Sequence, residues 1–141
     1  MGESDTAFLD RLRARAAKQD ISRFFGIELE EVAPGRSRAS MVCREEMANI
    51  LGMVHGTALF ALIDESFQAA VNAHGTEAVA LSMSVAFHRA PKVGERLTAN
   101  ADETSGGARI ATYQIAITDS SGGLVASCQA LAYRKGVPSS I

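Results

Sequence analysis

Apolar and polar positions divide this chain into one helix-period segment flanked by several alternating ones. Ala58, Leu59, Phe60, Ala61, Leu62, Ile63, Phe67, Ala69, Ala70 and Val71 fall on nearly every side of a 3.6-residue turn, which predicts a buried helix. Gly75 supplies the left-handed stop. Downstream the period changes to two. Val79, Leu81, Met83, Val85 and Phe87 read as one face of a long strand, with Ala80, Ser82, Ser84 and Ala86 on the other. Pro91-Lys92-Val93-Gly94 turns the chain, Leu97, Ala99 and Ala101 mark a second strand, and Ala111, Tyr113, Ile115 and Ile117 a third. Residues 124–133 close the set after a turn at 119–123. Upstream, Ala7, Phe8, Leu9, Leu12 and Ala16 predict an amphipathic helix over 6–18, preceded by frayed residues 1–5. Asp20 or Ser22 caps a short turn holding Phe24 and Phe25. Residues 26–32 and 36–43 form a hairpin about Ala33-Pro34-Gly35.

Consecutive strands joined by short Gly-rich turns favour an antiparallel meander. The one apolar helix needs cover, and the concave face of a curved sheet of five or six strands provides it. The fold class is therefore α+β, with small residues such as Ala58 and Ala69 permitting close helix-to-sheet packing. We divide the chain into an N-terminal helical segment (1–23), a main domain (24–135) and a polar tail (136–141).

Composition narrows the partners. Fourteen Lys and Arg against 16 Asp and Glu leave a formal charge of −2, which gives no electrostatic case for nucleic acid. Cys43 and Cys128 stand alone in strand-like runs without CxxC spacing or a nearby His, so buried reduced thiols are expected and no metal. No signal-peptide pattern and no membrane-length apolar run is present, so a cytoplasmic protein is the default expectation.

The chemistry gathers on residues 49–75. Asp64 is set in the apolar helix, where burial tunes a carboxylate for general-base or nucleophilic work; alternatively Asp64 and Glu65 are the wet edge of that helix beside Ser66 and Gln68. His55-Gly56 opens the helix, and the unpaired N–H groups there suit a developing oxyanion, with Gly56 allowing close approach. The bland alternative is an ordinary turn. Asn49 has a short amide that can hold the loop or meet a ligand carbonyl. Eight residues separate Gly56 from Asp64, roughly 12 Å of helix, whereas a reacting atom must lie about 3 Å from both groups. Two helices antiparallel about a two-fold axis would solve this, each Asp64 facing the other chain's Gly56. Thr57 at the helix start, Ser82 and Ser84 on the face shared with Ala80, and the loop cations Arg89 and Lys92 are further candidates for substrate contact. Core packing and solvated surface are the competing readings of these residues.

No serine elbow, HExxH, P-loop or GxGxxG occurs. The spacing Asn49-x5-His55-Gly56-x7-Asp64, followed by VALSMSVAFHRAPKVGERLTA and a closing SCQALAYRKG, resembles the hotdog-fold thioesterases, most closely the phenylacetate-degradation (PaaI-type) branch. The resemblance covers roughly residues 24–135. It implies a sheet wrapped around a central helix, two subunits joined into one continuous sheet, and dimers paired into tetramers. It further implies acyl-CoA substrates, no cofactor, Asp64 as the catalytic carboxylate, and the partner's Gly56 as oxyanion donor with Asn49 and His55 in support. Two departures stand out: Thr57 follows Gly56 where the family often has a second glycine, and Ala80 occupies the position of an assisting hydroxyl, with Ser82 or Ser84 nearby. The rival reading is a non-catalytic acyl-CoA-binding hotdog protein.

Overall fold

The computed structural model describes residues 3–141, with the side chains described from residue 5 onward. Helix α1, Glu3–Ala17, begins three residues earlier than the apolar pattern predicts, so Glu3 to Asp5 are helical, while the expected fraying at Met1 and Gly2 lies outside the described residues. Its apolar stripe, Leu9 and Leu12, packs on Ala69 and Ala73 of the central helix. Helix α2, Asp20–Phe25, is capped by neither Asp20 nor Ser22. Gln19 holds the N-cap position without a side-chain cap bond, and Ser22 is drawn inward to a carboxylate instead. Gly26 ends the helix in the left-handed region at φ 66°.

Strands β1 (Glu28–Ala33) and β2 (Arg36–Val42) form the expected hairpin, followed by a single 3₁₀ turn, Glu45–Met47. The central helix α3, Gly56–Asn72, precedes strands β3 (Thr76–Phe87), β4 (Arg96–Gly106), β5 (Ile110–Thr118) and β6 (Leu124–Pro138). Strand β6 absorbs the first part of the expected tail: Pro138 lies opposite Thr76. All six strands make one antiparallel sheet in the order β1-β2-β4-β5-β6-β3. Among the described residues no helix is long and apolar enough to cross a membrane.

The sheet curls around α3. Its helix-facing positions are mostly small or β-branched (Ala39, Ala99, Ala101, Ala126, Ala130, Ile115, Ile117), so Leu62, Ile63, Phe67 and Val71 seat against backbone-close surface. Phe67 meets Tyr113 edge-on at 5.4 Å. Two buried hydroxyls are satisfied locally: Ser37 Oγ donates to the Ser66 carbonyl at 2.5 Å and Ser66 Oγ to the Ile63 carbonyl at 2.8 Å.

Two expectations need correction. Helix α3 is not covered on every side, because Thr57, Phe60, Asp64 and Gln68 line one exposed stripe at helical spacing. The alternation of β3 also breaks. Its register against β6 skips Leu81, so Ala80, Met83, Val85 and Phe87 share the helix side with the buried Ala132, Ala130, Cys128 and Ala126. Ser82 and Ser84 pair with Leu131 and Gln129 on the outer face, opposite to Ala80. β3 is also an edge strand of twelve residues carrying exposed Val79 and Leu81, a surface that isolated proteins normally blunt.

Candidate active site

The segment before α3 is a short rigid knuckle. Asn49 Oδ1 accepts from the backbone N–H of Leu51 (2.9 Å) and Met53 (3.1 Å), and its own N–H donates to the Met53 carbonyl at 2.7 Å. Gly52 turns the tip at φ 76°, and a bridge between Ala48 and Val54 ties the base. The Asn49 oxygen is thereby committed to the loop; its Nδ2 makes no hydrogen bond among the described residues and is left to donate outward.

The knuckle delivers the chain to the helix start. His55 is the N-cap, and its Nδ1 accepts from the Thr57 N–H at 3.0 Å, which assigns the ring proton to Nε2 and leaves that atom exposed. Gly56 is the first helical residue. Its N–H has no partner among the described residues, so it is one of the orphan donors at the positive end of the helix dipole. A side chain at Gly56 would meet the Phe87 ring, whose Cζ would lie 3.2 Å from an added Cβ. A larger residue there would push the exposed Phe87 ring aside by a few tenths of an ångström.

Two turns along, the neighbouring carboxylates part company. Asp64 sits on the exposed stripe and makes no hydrogen bond or ion pair among the described residues. Apolar surroundings raise its pKa nonetheless. Glu65 turns toward α2, where its Oε2 accepts from Ser22 Oγ (2.5 Å) and Gln19 Nε2 (2.9 Å). Burial raises its pKa too, opposed by the Ser22 bond and supported by the Asp64 charge. The wet-edge reading thus fails for Glu65, which is a structural clip for the N-terminal helices. That role left no signal in helix periodicity, because its partners are more than 40 residues away. Phe60 and Gln68, one turn before and after Asp64, share its exposed face.

The remaining candidates lie apart. Ser82 and Ser84 are on the outer face. The Arg89 guanidinium is already engaged by Glu95 (2.7 and 3.2 Å) and Asp119 (2.6 Å); its bonds hold the Glu95 carboxyl below the usual range, and the Ser121 hydroxyl together with Arg89 does the same for Asp119. Lys92 is exposed, and its ammonium is in no ion pair among the described residues. No group of three His, Cys, Asp or Glu among the described residues could hold a metal. Both cysteines are free and buried, and burial pushes the Cys43 thiol up to about 11. None of the five clefts described is lined by Asn49, His55, Gly56 or Asp64. Among the described residues, the Asp64 carboxylate and the Gly56 N–H thus lie on an exposed face of α3 where none of these five clefts reaches them.

A single helix on the concave face of a six-stranded antiparallel sheet defines the hotdog architecture, and the comparisons with known proteins agree. The model of the thioesterase superfamily matches residues 51–126, and the chain belongs to that superfamily. It is 34% identical over 104 residues to a protein of Archaeoglobus fulgidus that bears a provisional esterase name, an alignment spanning 74% of this chain and 68% of the relative. Among solved structures it is similar to the PaaI protein of the E. coli phenylacetic acid degradation operon (27% identity, 93% of this chain and 96% of that one, TM-score 0.86). A Thermus thermophilus PaaI variant gives 31% identity over 82% and 99% of the two chains, with a TM-score of 0.79. A hypothetical thioesterase of Streptococcus pneumoniae solved with coenzyme A shares the fold at 24% identity, 89% and 98% coverage and a TM-score of 0.81.

Proposed function

We propose that this protein is an acyl-CoA thioesterase with two equivalent active sites at a homodimer interface. One observation carries the reading. Among the described residues the Asp64 carboxylate and the Gly56 N–H have no partner and share the exposed face of α3, too far apart to serve one reacting atom. Antiparallel packing of two such helices joins them, and the long unpaired edge of β3 with exposed Val79 and Leu81 is the surface along which two sheets would continue into one.

In that arrangement the thioester carbonyl oxygen points at the partner's Gly56 N–H, where a donor of this kind contributes about 10²–10³ in rate. Asp64 takes a proton from water as the water oxygen attacks the carbonyl carbon, the C–S bond breaks, and CoA leaves as its thiolate. Direct attack by Asp64, with a mixed anhydride hydrolysed afterwards, uses the same geometry. His55 Nε2 and Asn49 Nδ2 are outward donors at the helix start, placed to orient the acyl group. Lys92, rather than the engaged Arg89, is the loop cation available for a CoA phosphate. CoA bound to the S. pneumoniae relative supports the substrate class.

The test is release of free thiol from aryl-, short- and medium-chain acyl-CoA by the wild type and Asp64→Asn. Turnover lost in the variant, with the dimer retained, supports the assignment. Tight binding of acyl-CoA by the wild type without any turnover overturns it in favour of a ligand-binding hotdog protein.

A further inference from the structure

Helix α3 presents Thr57, Phe60 and Asp64 on one exposed face, separated by three and then four residues, which is the spacing of a helix seam. Phe60, at their centre, is an aromatic ring that is 38% exposed. The Thr57 hydroxyl makes no hydrogen bond among the described residues; the bond at this position, to His55 Nδ1, comes from the backbone N–H. Other hydroxyls around the helix are engaged or turned away. Ser66 Oγ donates to the Ile63 carbonyl, Ser37 Oγ to the Ser66 carbonyl and Ser22 Oγ to Glu65, while Ser82 and Ser84 lie on the outer face of the sheet.

Resting on the dimer reading above, we propose that Thr57 is a positioning residue whose hydroxyl holds the attacking water against the partner's Asp64. The face itself sets the pairing. Two such faces packed antiparallel about their Phe60 rings bring Thr57 of each protomer opposite the partner's Asp64, and every position used lies inside α3. Gly56 is the preceding residue, about 1.5 Å away along the axis, so oxyanion donor, hydroxyl and carboxylate converge on one reacting carbon. The hydroxyl donates to one oxygen of the carboxylate and accepts one O–H of the water. The water's other proton passes to the second carboxylate oxygen as the water attacks, and Thr57 keeps its own proton. A water held at both hydrogens presents its lone pair to the carbonyl carbon. The other titratable groups near Asp64 are Glu65, held by Ser22 and Gln19, the buried Cys128 of β6 and, across the interface, the partner's His55. A change confined to the Thr57 side chain leaves all three in place.

The test joins kinetics to subunit mixing. Thr57→Val keeps the side-chain shape and the backbone bond to His55 but removes the hydroxyl. Its kcat for acyl-CoA is expected to fall about tenfold with KM nearly unchanged, and the acid limb of its kcat–pH profile to move upward because the carboxylate has lost a donor. Thr57→Ser should restore both. Co-expression of Thr57→Val with Asp64→Asn protomers gives each heterodimer one site with native Thr57 and native Asp64, so activity should rise about fivefold above the mean of the two variants assembled alone. A fall in kcat with the acid limb unmoved marks a packing role and overturns the proposal. So does wild-type kcat in Thr57→Val beside an inactive Asp64→Asn, which leaves the dimeric thioesterase standing. Loss in Thr57→Val without recovery on mixing overturns the pairing of Thr57 with the partner's carboxylate. Full activity in Asp64→Asn overturns the dimer reading itself.

Discussion

At the C-terminal end of α3, Glu103 accepts from Arg134 Nη2 at 2.5 Å and lies 2.7 Å from His74 Nε2, and Arg134 Nη1 also donates to the Gly107 carbonyl. Glu103 on β4 and Arg134 on β6 meet across the intervening β5 and are only 17% and 18% exposed. At the other end and middle of the same helix, the Gly56 N–H and the Asp64 carboxylate have no partner among the described residues. Both regions place charge against the apolar core, yet only one closes on itself. Where burial exists to hold the fold, each charge is met within the protomer. On the reading proposed above, the groups left unmet on the helix face are those that a second chain and a substrate would meet.

The sharpest way to break this contrast is to remove one carboxylate from each region. Asp64→Asn is expected to lower kcat by 10²–10⁴, the usual contribution of a positioned base, without loss of the fold. Glu103→Ala is expected to do the reverse. It strands Arg134 and His74 at the foot of the core and costs about 3 kcal/mol, which lowers Tm by roughly 10 °C, while kcat stays within a few-fold. Thiol-release kinetics and thermal melts on both variants decide the matter. A large rate loss in Glu103→Ala at a temperature where it is folded would erase the distinction.

Gly56→Ala sharpens the same contrast at the helix start. The added methyl would lie 3.2 Å from Phe87 Cζ, so the ring must move by a few tenths of an ångström. Phe87 is exposed enough to do so. Folding should survive, and displacement of the oxyanion donor should reduce kcat about tenfold with little change in KM. An unchanged kcat would remove Gly56 from the mechanism. On the rim, Lys92→Ala is expected to raise KM for acyl-CoA a few-fold more at low salt than at high salt, as a solvated contact with phosphate would. Arg89→Ala disturbs the loop that carries Lys92, so its effect should be on the melt rather than on that salt dependence.

What the sequence made legible follows from where the relevant information is local. The period-two runs and Gly-rich turns specified the antiparallel strands, and the spacing of Asn49, His55, Gly56 and Asp64 marked one end of one helix. Burial of α3 was overestimated because Phe60 read as core although it lies on the exposed face; an apolar residue on an open face carries the same signal as one in the core. The faces of β3 were misread because a single skipped residue, Leu81, exchanges them, and nothing in an alternating run marks a bulge. Glu65 was missed for another reason: its partners Gln19 and Ser22 arrive from a separate helix, so only tertiary packing reveals the clip.

The smallest expected effect tests whether Asp64 is held against the interests of the fold. Its apolar surroundings raise its pKa above the ordinary value of about 4, so folding disfavours the ionised form. Below that ordinary value the group is protonated in folded and unfolded chains alike and contributes no difference. As the pH rises from there through the raised value, the unfolded chain loses its proton first, and stability is lost over that window. Above it the deficit is constant. Asparagine carries no such deficit, so Asp64→Asn should melt slightly above the wild type at pH 7, with the gap closing as the pH falls through the raised value and gone below about 4. Glu95 supplies the opposite case. Its carboxyl is held below the usual range by Arg89 and the Lys92 N–H, so its contribution is present at neutral pH and lost on acidification. A base kept for catalysis costs stability at the pH where it works, and a carboxylate kept for the fold does not. If Asp64→Asn proves less stable than the wild type at pH 7, Asp64 has a structural partner in the dimer and belongs with Glu103.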